Sequence, residues 1–370
     1  MTPSLAPPPR LSPLPVELVQ LILDRLPPGR DLATCLRVNS FFFTAASALL
    51  YRHVRMFQHG RWNLDLFSVQ PHIYRSRVEL PTVALASRPT LAESVHLVDV
   101  FEHSTEDCEA VHLDTLHVDT LRINLRQHKD RAVLHNDMWL QDWCGALDPI
   151  QAEKIVVRGP LVLDDGVLSA PSIAPETLLQ AKRLTIVAIE ALSANSDVTF
   201  QMPFSPLLSE RSSVRNVTFV FWTRKPGERW SPIQPFQQGQ ERSARWATAF
   251  SSYLVTGLVS RWPYECNVTM VNAGSIEAAD LSLDDEPTYE HVQEQFRAEV
   301  RLFISNARLD QRGKYWREEE LADRVKWITM REYLATPDWA GEFGDEEVAP
   351  WLKRFERGKG GGEANGNGEA

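Results

Sequence analysis

The chain has 370 residues, 43% of them hydrophobic, so it can build a sizeable core and is too long for one small module. A formal net charge of −10 argues against a broad nucleic-acid or anionic-membrane footprint. Cys35, Cys108, Cys144 and Cys266 lie far apart with no CxxC or Cys/His cluster, which indicates neither a zinc site nor a disulfide framework and suits a reducing compartment.

Residues 1–13 contain five prolines and no apolar run of secretory-signal length, so an extended or disordered leader is expected there. No window of 18 apolar residues occurs, and no transmembrane helix is expected. Together with the thiols, this predicts an intracellular protein of the cytoplasm or nucleus.

Residues 14–54 read as three helices. Pro15 suits the first position of helix one, where its missing N–H is not needed. Glu17, Gln20 and Asp24 fall on one arc, while Leu14, Val16, Leu18, Val19, Leu21, Ile22, Leu23 and Leu26 cover most of the circle. A surface helix buries one stripe; this one has apolar surface for two contacts. Pro27, Pro28 and Gly29 stop it. A second helix fits Leu32 to Val38 with Asp31 as N-cap and Leu32, Cys35 and Leu36 as its apolar side. A third carries Phe42, Ala45, Ala46, Leu49 and Leu50 at i, i+3, i+4, i+7, i+8 spacing. Three helices in about 40 residues sit where burial alone stops sufficing. The surplus face of helix one therefore packs either on the rest of the chain or on a partner.

The spelling of the segment resembles an F-box: Leu14-Pro15-x-Glu17-Leu18, Ile22-Leu23, Leu26-Pro27, Asp31-Leu32, Cys35, Val38 and an aromatic, Phe42, four residues later. Ala45-Ala46 and Leu50-Tyr51-Arg52-x-Val54 look like fungal F-box proteins. The resemblance implies docking on the Skp-type adaptor of a Skp–cullin–F-box ubiquitin ligase. By position, Leu14, Pro15, Leu18, Ile22, Leu26, Leu32, Cys35, Val38 and Phe42 would carry that docking or the core beneath it.

Residues 55–357 alternate short apolar runs with helical stretches. The spelling apolar-x-x-apolar-x-apolar recurs at Ala92–Leu97, Leu113–Val118, Ala152–Val157, Ala181–Ile186 and Val214–Phe219, with a weaker copy ending in Val268-x-Met270. Its last two positions alternate as a half-inward strand does, and the spacing fits one strand plus one helix per unit. Leu113-x-x-Leu116-x-Val118-x-x-Leu121-x-Ile123 comes closest to a leucine-rich repeat, without the Asn or Cys expected at 121. A degenerate leucine-rich-repeat-like solenoid and another α/β sheet both fit. The strand-then-helix order suggests parallel pairing. Longer helices are expected at Glu241–Trp262, Glu290–Leu309 and Glu318–Leu334, and residues 358–370 as a flexible Gly-rich tail.

The chain has no G-x-S-x-G elbow, no phosphate loop, no GxGxxG and no HExxH. His112, His117 and His128 read as strand histidines, and Asp164-Asp165 and Asp284-Asp285-Glu286 as loop and helix-start acids. No catalytic, cofactor or metal residue is nominated. The 17-residue loop Arg224–Gln240, with Trp230 and Phe236, is the candidate target-facing loop. The expectation is an α/β protein: a three-helix F-box-like unit (14–54), then a leucine-rich-repeat-like α/β domain with additional C-terminal helices. Its expected role is a non-catalytic substrate adaptor that binds a Skp-type protein and, through it, a cullin, with a protein target and neither nucleic acid nor membrane as partner. An F-box-like scaffold outside the ligase and an enzyme of unrecognised type are the rival readings.

Overall fold

Apolar residues that alternate along the chain fold into one wide sheet. The computed structural model describes residues 14–26, 30–56, 62–64, 89–101, 115–128, 131–133, 144–160, 180–189, 213–231, 247, 250–252, 254–255, 266–283, 287–306 and 318–360. Its strands are β1 (His53–Met56), β2 (Trp62–Leu64), β3 (Leu97–Val100), β4 (Leu116–Asn124), β5 (Arg126–His128), β6 (Arg131–Val133), β7 (Ile150–Pro160), β8 (Arg183–Ile189), β9 (Asn216–Phe221), β10 (Asn267–Val271) and β11 (Val325–Ile328). Nine of them form one sheet in the order β2-β1-β3-β4-β7-β8-β9-β10-β11, and β5 pairs with β6 separately. β2 is antiparallel to β1; the other eight sheet strands are parallel and follow chain order across the sheet.

The register explains the recurring spelling. Val54, Val98, Leu121, Ile155, Leu184, Val217, Val268 and Val325 lie side by side in one buried row. Ile155, Leu184, Val217 and Val268 hold the middle position expected of them. Val95 and Leu116 do not: Val95 lies before β3, and Leu116 pairs with Ile150, five residues below the row. Leu121 takes that place because β4 is long enough to contain both phases of its Leu-rich run.

The helices are α1 (Val16–Arg25), α2 (Arg30–Cys35), α3 (Ser40–Leu50), α4 (Pro89–Ala92), α5 (Tyr289–Asn306), α6 (Glu318–Asp323), α7 (Met330–Leu334) and α8 (Asp345–Gly360). Asp31 lies inside the first turn of α2 rather than capping it, and α2 ends three residues earlier than expected. The cap belongs to α3, where Asn39 Oδ1 accepts the Phe42 N–H at 3.0 Å. α5 matches the helix expected at Glu290–Leu309 to within three residues and buries Val292, Phe296, Val300 and Ile304 along one face. Of the expected helix at 241–262, the described residues 247, 250–252, 254 and 255 are helical, with Ala247, Phe250, Leu254 and Val255 buried. The single helix expected at Glu318–Leu334 is instead α6, β11 and α7. Val325–Ile328 extends the sheet beside β10, and Thr329 and Glu332 then form a capping box that starts α7. α8 runs to Gly360, three residues into the expected tail, because each further helical residue adds a bond once the helix exists. The expected leader, 1–13, and residues 361–370 lie outside the described residues.

A parallel sheet buries both faces. On the outer face Leu121, Ile155, Leu184, Ile186, Phe219, Phe221 and Met270 pack against α5, Trp230 and Phe250. Phe221 meets Trp230, Phe250 and Phe296 in edge and tilted ring contacts at 4.9, 6.1 and 5.9 Å. Val19 and Leu23 of α1, Leu32 of α2, and Ala46 and Leu50 of α3 belong to that same core, so the N-terminal helices are continuous with the sheet. On the inner face Val156, Val187, Val220, Trp222 and Val271 pack against Met330, Tyr333, Leu334, Phe343, Val348 and Trp351. Residues 329–360 thus form a strap that returns from the β11 edge across the inner face.

The strap turns sharply at Gly341, whose φ is +78°, and a Cβ there would meet Thr120 Oγ1 of β4 at 3.2 Å. Gly341→Val is expected to destabilise by about 1–3 kcal/mol, from the left-handed backbone and the contact together, read as a lower urea midpoint with an unchanged slope. Among the described residues no helix is long and apolar enough to cross a membrane.

Candidate docking surface and covered sheet face

Helix α1 divides its apolar surface between two neighbours. Val19 and Leu23 are buried and Leu26 is half-buried against the core, while Leu14, Leu18, Leu21 and Ile22 occupy the adjoining arc and are 60%, 48%, 59% and 50% exposed. At about 100° per residue those four fall together in one sector, interrupted only by Arg25. Val38, Phe41 and Phe43 are also exposed. α3 packs on α1 and α2, so one three-helix unit carries all seven. Large apolar side chains gathered on one small unit mark a protein-interaction surface more often than a solvated one.

The nine residues named for docking separate accordingly. Leu14, Pro15, Leu18, Ile22 and Val38 are exposed. Leu32 is buried, and Leu26, Cys35 and Phe42 are half-buried against the core beneath. Val16, Leu21, Phe41 and Phe43 are exposed apolar residues that the spelling did not select. Helical phase finds Leu21, which shares the arc of Leu14 and Leu18. Phe41 and Phe43 flank Phe42, which turns inward while they turn out.

Trp230 does not face a target. It is fully buried, its Nε1–H donates to Ala188 O at 3.0 Å, and its ring packs edge-on against Phe221. A large ring whose one polar atom finds a backbone carbonyl is a core residue, and among the described residues of that loop 224, 225 and 227–229 are the exposed ones. Phe236 lies outside the described residues. Trp222 and Trp351 are buried as well, and Trp339 is half-buried.

The inner sheet face holds charges that residue type alone would place in water. Asp99 of β3 is fully buried. It accepts from Nε and Nη2 of Arg122, from His53 Nε2 at 2.7 Å and from Asn124 Nδ2 at 3.2 Å. Lys154 of β7 pairs with Glu342 of the strap at 2.6 Å, and both are nearly fully buried. Glu342 also accepts from Thr185 Oγ1 at 2.7 Å and from the Tyr333 hydroxyl. Arg158 pairs with Glu347, one of the three first-turn acids of α8. No family model, curated protein or solved structure matches the chain.

Burial would raise the Asp99 carboxyl, but the Arg122 and His53 hydrogen bonds and the Arg122 charge outweigh it and hold the group well below the ordinary carboxylate range. Burial likewise opposes, and the Arg158 bond and charge overcome it, at Glu347, which is also lowered. Both groups bind protons less readily folded than unfolded. Their contribution is full above about pH 4–5 and is lost as pH falls through that range toward the folded values. Asp99→Asn is expected to lower the urea midpoint at pH 7 and to flatten its decline on acidification below about pH 4; an unchanged acid limb contradicts the assignment.

Proposed function

We propose that this chain is a non-catalytic substrate-recognition adaptor of a Skp–cullin–F-box ubiquitin ligase. In that role the α1–α3 unit docks on a Skp-type adaptor and the α/β domain holds a protein target near the ubiquitin-charged enzyme. The observation that carries the proposal is the divided helix: one arc of α1 is core, and the arc spelled like an F-box, Leu14, Leu18 and Ile22, is left exposed. The eight parallel strands in chain order support a leucine-rich-repeat-like platform behind the docking unit. The chemistry is proximity, supplied by the assembled ligase.

Capture of a purified Skp-type adaptor by the full chain tests the reading. Leu14→Ala with Pro15→Ala is expected to weaken capture by about tenfold or more, and capture unchanged by that pair defeats the docking claim. Cullin in the captured complex separates a ligase subunit from a scaffold working outside it.

A further inference from the structure

Among the described strand residues from β1 to β8, the inner face presents His53, Arg55, Arg122, Lys154, Arg158 and Arg183, and the one acid beside them is Asp99. That is a basic strip in a chain of net charge −10. The part of the strap lying over it is Thr336–Val348, TPDWAGEFGDEEV, whose residues 336–344 form turns and neither helix nor strand. Its turns are closed by its own backbone: Ala340 N–H donates to Pro337 O at 3.1 Å and Glu342 N–H to Trp339 O at 2.9 Å, while Thr336 N–H ties it back to Tyr333 O at 3.1 Å.

The sheet grips this stretch through side chains, as a groove holds a peptide. Lys154 Nζ donates to Asp338 O, to Ala340 O at 3.3 Å and to the Glu342 carboxylate. Arg122 Nη1 donates to Gly341 O at 3.4 Å, and Arg158 meets Glu347. Phe343 stacks on Trp222 with ring centroids 4.2 Å apart. A permanent lid gains little from buried ion pairs, because their desolvation cancels most of the attraction and apolar residues of equal volume serve as well or better. Cations on the Asp338, Ala340 and Gly341 carbonyls fix the path of the segment, and those on the Glu342 and Glu347 carboxylates select acids at that spacing.

We propose that the inner sheet face is a binding site for an acidic peptide carrying a Glu-aromatic pair and a second acid about four residues on, and that Thr336–Val348 is its built-in ligand. The partner is a target only if the adaptor role holds; the site does not depend on it. A tethered segment competes at an effective concentration on the order of millimolar, so a micromolar external peptide enters only when the strap is weakened or the incoming sequence binds more tightly.

The test is fluorescence anisotropy with a labelled synthetic peptide of residues 336–348 titrated against the full chain. The wild type is expected to bind about tenfold or more weakly than a chain carrying Glu342→Gln and Glu347→Gln, and adding Lys154→Met and Arg158→Met to that variant is expected to abolish binding. Equal binding by wild type and variant, or none by a variant with the wild-type near-ultraviolet spectrum, overturns the proposal. Hydrogen exchange on the wild type decides the case if the variant does not fold. Amides of α8 exchanging about tenfold or more faster than those of β7 and β8 support a strap that opens alone, and equal rates overturn it. Neither measurement involves the exposed arc of α1, so its failure leaves the adaptor reading standing.

Discussion

Leu18→Glu together with Ile22→Glu is expected to abolish capture of a Skp-type adaptor while leaving the fold intact. Both side chains are about half exposed, so the folded chain loses little when they become carboxylates, within about 0.5 kcal/mol each. At an interface the same carboxylates would be desolvated against apolar partner atoms, a penalty that takes affinity down by about 100-fold or more. Leu23, next to Ile22 in sequence but turned to the core side of α1 and 1% exposed, supplies the contrast. Leu23→Ala is expected to cost about 2–5 kcal/mol of stability, and it reduces capture only as far as it unfolds the chain. Thermal unfolding and capture measured side by side distinguish the two. If Leu18→Glu with Ile22→Glu destabilises as much as Leu23→Ala, the exposed arc is core in solution. If it leaves capture intact, the docking surface lies elsewhere.

Glu342→Ala is expected to be the most destabilising single change in the strap, at about 3–5 kcal/mol, because it leaves the Lys154 ammonium buried without its carboxylate and the Thr185 and Tyr333 hydroxyls without their acceptor. The loss should depend on pH. Burial holds the Lys154 amine below its ordinary value, and Glu342 partly opposes that shift. Removing Glu342 leaves only the weaker Asp338 charge against burial, so the folded variant binds a proton less readily than the unfolded chain. Its stability then rises with pH between the depressed folded value and the ordinary lysine value near 10.4. Lys154→Met with Glu342→Leu is expected to recover most of the loss, since neither charge is left alone. Urea unfolding of Glu342→Ala, of the single variants Lys154→Met and Glu342→Leu and of their double across pH checks this, and an additive double variant would show that the two residues act separately.

How much of this was legible in the sequence depended on which force placed each residue. The outer-face strands were readable because their burial is uniform: Ile155, Leu184, Val217 and Val268 repeat one spelling, and the sheet aligns them in one row. β3 and β4 were misphased because Val95 and Leu116 are also buried apolar residues, and a pattern of apolar positions cannot tell which of two neighbours joins the row. β11 was lost inside an expected helix, although Val325, Trp327 and Ile328 favour a strand and Thr329-x-x-Glu332 marks a new helix start. The inner face was unreadable for a different reason. Lys154, Arg158, Asp99 and Glu342 are types that sequence reasoning assigns to solvent, and only a partner on another element, for Lys154 and Arg158 one far away in the chain, makes their burial affordable. Trp230 erred in the opposite direction, its Pro- and Gly-rich flanks suggesting a surface loop while its indole filled the core.

The strap also sets an order of events. Lys154 and Asp338, which touch in the folded chain, are separated by 184 positions, and Arg122 and Gly341 by 219. A ribosome adding about 5–20 residues per second needs on the order of 10–40 s between delivering β7 and delivering the carboxylate that neutralises it. Strands that pair with their immediate predecessors can join the sheet as they emerge. The inner face, with Lys154 and Arg158 still lacking the Glu342 and Glu347 carboxylates, stays open throughout and closes only when residues 329–360 leave the tunnel. Translation that stops before Glu342 would therefore release a sheet that is largely assembled on one side and bare on the other, a species for quality control to recognise by its exposed basic face.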